Sequence, residues 1–221
     1  MADRYHYLPS IGIAIMLAWG IPSLLKKDTR KNILFPAAIA CLAVMSVLTW
    51  QQCRYWKNSM TLLNHALRVT NNNYMAHTNF AVALAEKGRL NEAIHHYNKA
   101  IIIAPDRALP YNNRGTSYGR TGEYQLAIED LNNAIRLDRN YIKAYNNRGI
   151  AYTKLGLHKE AIADFNEAIR LQEDYADAYN NRAFVYLSQG DKISGCSDAK
   201  KACELGNCKA LEFAKSKGLC R

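Results

Sequence analysis

The residues able to do chemistry recur at fixed intervals. Arg114, Arg148 and Arg182 are 34 residues apart, and Asp130, Asp164 and Asp198 follow each of them by sixteen. An arginine and an aspartate that keep step in this way can form charge-assisted, bidentate pairs. At the two corresponding places one period earlier stand Phe80 and His96, so both partners change together. The expectation is a structural ion pair, preferred to ligand binding. Asn79, Asn113, Asn147 and Asn181 share another position, with Asn112, Asn146 and Asn180 beside three of them. A primary amide offers a donor and an acceptor and so matches a peptide unit without reading its side chains. These asparagines either hold a peptide backbone, tie neighbouring units together, or solvate a polar face. Arg120 and Lys154, 34 apart, add cations that favour acidic groups on a ligand.

Cysteines form the third group. Cys196, Cys203, Cys208 and Cys220 lie within the last 26 residues. No Cys-x-x-Cys or nearby histidine suits zinc, so disulfides are the leading expectation. On one helix Cys196 and Cys203 would be about 10.5 Å apart, beyond the roughly 7 Å a disulfide spans. Two connectivities remain. The nested one, Cys196–Cys220 with Cys203–Cys208, best suits a last helix running back from a turn at 204–207. Cys41 is read as a buried helical thiol. His95-His96 reads as surface. There is no phosphate loop, zincin spacing or nucleophile elbow, so neither a catalytic constellation nor a cofactor or metal site is expected.

The elements that position these groups follow from the period. Gly88, Gly122, Gly156 and Gly190 suit turns between helices, and Ala100, Ala134, Ala168 and Ala202 keep the same spacing. Small residues at Ala81, Gly115, Gly149 and Ala183 allow close helix approach. The phrases Tyr111–Gly115, Tyr145–Gly149 and Tyr179–Ala183 are near-copies. With period 34, this pattern resembles the tetratricopeptide repeat, a helix–turn–helix unit that stacks into a solenoid. Four repeats are expected at 74–107, 108–141, 142–175 and 176–207. A connecting and capping helix is expected over 54–73, and a disulfide-stapled terminal helix over 208–221. The resemblance implies an all-α, right-handed superhelix with a concave groove lined by first helices. O-GlcNAc transferase, whose superhelix is similar, carries asparagines at the equivalent groove position that hold a peptide backbone.

The chain carries a net charge of +10, which raises nucleic acid as a partner. Residues 1–73 hold eight basic and two acidic groups, however, so the excess concentrates in the shorter and more apolar part. Two uncharged stretches, 8–25 and 33–50, are long enough for short membrane spans. They flank Lys26, Lys27, Arg30 and Lys31, which the positive-inside rule puts in the cytoplasm. The expectation is a membrane hairpin over 1–53, in a bacterial inner membrane, with loop 26–32 cytoplasmic and the repeats periplasmic or otherwise extracytoplasmic. Lipid bilayer and a protein or peptide ligand are the expected partners, and nucleic acid is not.

Residues 2–12 (ADRYHYLPSIG), the two apolar stretches, Trp50-Gln51-Gln52 and Tyr55-Trp56, followed by the repeats, resemble the C-terminal end of GT-C glycosyltransferases. The resemblance is to the transmembrane and tetratricopeptide O-mannosyltransferase-like family. It implies a substrate-docking segment. The many upstream spans and the acidic loop motif of that family are not in this chain, so sugar transfer is not expected of it alone.

Overall fold

The computed structural model describes residues 35–55, 59–70 and 72–220. The chain divides into two compact units, residues 1–62 and 63–221. All regular structure among the described residues is helical: α1 (Phe35–Tyr55), α2 (Ser59–Val69), α3 (Tyr74–Glu86), α4 (Leu90–Ile103), α5 (Ala108–Thr121), α6 (Tyr124–Leu137), α7 (Ile142–Lys154), α8 (His158–Leu171), α9 (Ala176–Ser188), α10 (Lys192–Glu204) and α11 (Lys209–Ser216).

The first unit departs from the sequence expectation. Stretch 8–25 and loop 26–32 lie outside the described residues. Stretch 33–50 falls largely within α1. Among the described residues no helix is long and apolar enough to cross a membrane. α1 nevertheless exposes Ile39, Leu42, Val44, Val47, Leu48 and Trp50, each more than half accessible. Cys41, expected to be buried, is an exposed free thiol. Sequence apolarity alone does not bury a residue. The boundary between the units falls inside α2, the segment read as a cap.

In the second unit the helices form hairpins, α3/α4, α5/α6, α7/α8 and α9/α10, and each second helix packs on the next first helix. The reversal within a hairpin needs a left-handed residue. Gly122 supplies it after α5, with φ of 91°, and its N–H closes on the Tyr118 carbonyl. Gly88, Gly156 and Gly190 stand at the same place with positive φ, where a Cβ would cost energy.

Between the two helices of a repeat, side-chain sizes are complementary. A Cβ on Gly149 would lie 2.7 Å from the Phe165 ring, and one on Gly115 would lie 3.0 Å from Leu131 Cγ. In the fourth repeat the same two places hold Ala183 and Ala199, both fully buried. Large against glycine and small against small fill the same gap, as close packing demands.

α11 ends the solenoid. It packs on α9 and α10, burying Ala210 and Ala214 completely. The Ala210 N–H donates to Asn180 Oδ1 at 2.9 Å. Phe213 meets Phe184 with ring centroids 5.5 Å apart. Two disulfides hold this end: Cys196–Cys220 and Cys203–Cys208.

Candidate functional site

The first helices α3, α5, α7 and α9 lie side by side and present one continuous face. The helix register puts Asn113, Thr116 and Arg120 on it from α5, and Asn147, Ile150 and Lys154 from α7, since residues three and four apart share a side of a helix. Asn181 and Phe184 continue it on α9, and Asn79 begins it on α3, exposed.

The two columns of asparagines separate. Asn112, Asn146 and Asn180 were expected to thicken an exposed polar strip. The structure corrects this: they are only 4–5% exposed. They lie one residue, about 100° of helix turn, before the half-buried column Asn113, Asn147 and Asn181, which swings them into the contact between repeats. There they act as bolts. Asn147 Nδ2 donates to Asn112 Oδ1 at 3.1 Å, and Asn181 Nδ2 donates to Asn146 Oδ1 at 2.9 Å. Asn147 Nδ2 also reaches Thr116 Oγ1 at 3.1 Å. Asn113 Oδ1 accepts from Asn112 at 3.0 Å. Asn113 and Asn147 thus each turn one amide end to the fold, and Asn181 turns both, its Oδ1 accepting from Asn180 Nδ2 at 3.4 Å.

The expected cations differ in the same way. Arg120 Nη1 donates to the Ala85 carbonyl at 2.8 Å, joining the Gly88 N–H that already closes the C-terminal turn of α3 on that oxygen. Lys154 is exposed. Neither forms an ion pair among the described residues.

A small cavity of about 220 Å³ opens between α5, α6 and α7. Ala127, Leu131 and Ala151 form its floor, with Gly115 and Gly119 along one wall and Thr116, Tyr124, Asn147 and Ile150 around it. Arg120 and Lys154 are on its lining as well.

The arginine–aspartate series lies within the repeats. Arg114 and Asp130, Arg148 and Asp164, and Arg182 and Asp198 meet at 2.6, 2.6 and 2.7 Å. Each pair is bidentate through Nε and Nη2. Burial alone would depress each guanidinium pKa. The hydrogen bonds and charge of the facing aspartate more than reverse this, so each arginine stays above its ordinary value. Nη1 of each arginine also reaches an asparagine on the second helix of the preceding repeat: Asn98, Asn132 or Asn166, at 2.6, 2.7 and 2.5 Å. Two tyrosines flank each guanidinium, Tyr145 and Tyr152 at 5.6 and 5.8 Å in the case of Arg148, within cation–π range. Sequence reasoning missed this third partner, although Asn98, Asn132 and Asn166 keep the 34-residue step.

In the first repeat the substitute cluster is His77, Phe80 and His96. His77 Nδ1 and His96 Nδ1 are 3.0 Å apart, and the Phe80 ring meets His96 edge-on at 4.7 Å.

Comparison with known proteins fits this geometry. The TPR repeat family model matches residues 81–122, 120–156 and 151–190. Among curated relatives, the protein O-mannosyl-transferase TMTC1 of Mus musculus is 29% identical over 110 residues, 49% of this chain and 12% of that protein. Tmtc2 of Drosophila melanogaster is 31% identical over 109 residues, 49% of this chain and 11% of that protein. The chain therefore matches only about an eighth of these relatives' length. Among solved structures, MamA aligns over 76% of this chain and 94% of its own, with TM-score 0.61 and 24% identity, a likeness of fold. The first TPR of Spaghetti (RPAP3), bound to the HSP90 peptide SRMEEVD, aligns over 56% of this chain and 98% of its own, with TM-score 0.53 and 26% identity. The helical hairpins, their glycine turns and their 34-residue step are those of the tetratricopeptide repeat, and the chain belongs to that family.

Proposed function

We propose that this chain is a non-catalytic scaffold that binds an extended peptide or protein segment along the inner face formed by α3, α5, α7 and α9. The observation that carries this reading is the mixed chemistry left exposed there. Leu109 and Ile150 are 40% and 37% accessible, and Lys154 and the outer ends of the asparagine amides lie beside them. An apolar strip with interspersed amides suits a peptide, whose backbone needs donors and acceptors and whose side chains need apolar contact. The peptide in the RPAP3 structure supports the same mode of use.

Membrane attachment through residues 1–53, with the repeats on the extracytoplasmic side, belongs to this proposal. It is supported by the exposed apolar side chains of α1 and by the basic run at 26–31. Four cysteines paired as two disulfides suit an oxidising compartment.

The experiment is peptide-array selection with the full chain, followed by anisotropy titration of a selected peptide. Ile150→Glu on the inner face should weaken binding at least tenfold. Arg136→Glu, exposed on the second helix α6, should leave it unchanged. Equal effects of the two substitutions would remove the inner face from the mechanism.

A second reading has its own support. The relatives matched over the repeats are O-mannosyltransferases, so the chain would be the substrate-docking end of a larger GT-C-like glycosyltransferase. An in-frame upstream reading frame encoding further apolar spans and an acidic loop would favour it. A stop codon directly upstream in the genome would count against it.

A further inference from the structure

The cavity between α5, α6 and α7 has a cause that the four repeats together reveal. One pair of positions facing across each repeat is occupied by Ala85 and Ala93, then Gly119 and Ala127, then Thr153 and Ala161, then Leu187 and Gly195. In the fourth repeat Leu187 occupies the space left by Gly195, whose Cβ would lie 2.7 Å from Leu187 Cγ. In the third, Thr153 turns its hydroxyl onto the Gly149 carbonyl at 2.8 Å. The second repeat pairs glycine with alanine, the least side-chain volume of the four. A Cβ built on Gly119 meets nothing within 4 Å. The void that results is the cavity of about 220 Å³, and both Gly119 and Ala127 line it.

Its chemistry is specific. The floor is apolar and buried, with Ala127 and Leu131 at 1% and Ala151 at 3% exposure. Its volume is below the roughly 300–1,000 Å³ of small-molecule sites and suits a single side chain. Arg120 and Lys154 lie on the lining, with no acidic partner among the described residues.

We propose that the Gly119 cavity is a specificity pocket that takes one aliphatic side chain of a bound peptide, with an acidic residue next to it in the peptide held by Arg120 and Lys154. This rests on the inner-face binding reading and adds a sequence preference to it. Gly119 lies in the last turn of α5, where alanine would be the more stabilising helix residue. A helix that keeps Gly119 where a Cβ would fit without contact has given up that stability for an open pocket.

The test uses blocked nonapeptides of serine and glycine carrying a central Leu-Asp, Ala-Asp or Leu-Lys, titrated into the full chain. Acetylated and amidated ends leave the aspartate as the only carboxylate. Leu-Asp should bind roughly tenfold more tightly than Ala-Asp, the scale of burying the extra methyl groups. Gly119→Leu should erase that difference while melting at or above the parent temperature, because Leu187 already occupies the equivalent place in the fourth repeat. Lys154→Glu should reverse the preference for Leu-Asp over Leu-Lys. Methyl resonances of Leu131, Ala127 and Ala151 should shift with acetyl-Leu-Asp-amide alone. Peptides that bind, respond to Ile150→Glu and ignore Gly119→Leu would overturn the pocket and leave the groove standing. Failure of every array peptide to bind would overturn the groove reading, and the pocket with it.

Discussion

His77 and His96 face each other through Nδ1 atoms 3.0 Å apart, joining the two helices of the first repeat. In the later repeats the His96 place is taken by an aspartate gripped by arginine. Burial holds the His77 imidazole below its ordinary pKa, helped by Lys99 and His95. Burial likewise pulls His96 down to about 4, with His77, His95 and Lys99 adding to it and Glu92 opposing. The unfolded chain therefore takes up protons near pH 6.5 that the folded repeat refuses. Stability from this site is fully present above pH 6.5 and drains as pH falls towards about 4. Hydrogen exchange of residues 74–103 should quicken over that window, while that of 142–171 changes little. Phe80→Arg with His96→Asp, which installs the later repeats' pair, should flatten most of the response.

Breaking one buried pair should cost more than replacing it. Asp164→Ala leaves the Arg148 guanidinium, 18% exposed, without its bidentate acceptor. The expected loss is about 2–3 kcal/mol by urea unfolding, below the ~3–5 kcal/mol of fully buried pairs because the arginine keeps some water. The double variant Arg148→Met, Asp164→Leu should recover most of that loss. Equal destabilisation by both variants would count against the pair as the cause.

Two helical glycines should respond in opposite ways to alanine. Gly149→Ala drives a Cβ into the Phe165 ring, which is fully buried and has nowhere to move. Overpacking of this kind costs about 1–3 kcal/mol, and Phe165→Leu should relieve part of it. Gly119→Ala enters empty space and should stabilise by roughly 0.5–1 kcal/mol. Thermal melts of the two single variants decide this directly.

Reduction should loosen one end only. Cys196–Cys220 closes a segment of 24 residues, a constraint of about 3 kcal/mol in chain-entropy terms. With dithiothreitol, exchange in residues 196–220 should rise sharply and that in 108–154 should not. Non-reducing peptide mapping should recover the 196–220 and 203–208 fragments as linked pairs.

How much of this could be read from the sequence depends on what periodicity encodes. Identical spacing showed which residues are equivalent, so the arginines and aspartates could be paired before any coordinates. The narrow reach of a disulfide restricted the cysteines in the same way. Periodicity does not say which way a column faces. Asn112 and Asn113 differ by one helical step, yet one is buried as a bolt and the other is half-buried on the inner face. Asn98, Asn132 and Asn166 carried a 34-residue signal of their own, but their link to the next repeat's arginine is a contact between repeats. The Gly119 cavity was least legible, because a missing side chain becomes a void only when its facing partner is known. In α1 the apolar run predicted a helix correctly and said nothing of what surrounds Cys41.

The reach of each arginine back to an asparagine has a mechanical consequence. Arg114 grips Asn98, Arg148 grips Asn132 and Arg182 grips Asn166, so every junction after the first repeat is clamped by a charged rivet. Phe80 supplies none at the start of the row. Pulled from its N-terminal side, the solenoid should yield there first, because α3 and α4 lack the arginine–aspartate pair that joins the two helices of each later repeat, with an initial extension of about 12 nm for one repeat of chain before the paired repeats take the load. The first repeat would then act as a fuse, giving way under tension while the inner-face pocket two helices further on keeps its shape.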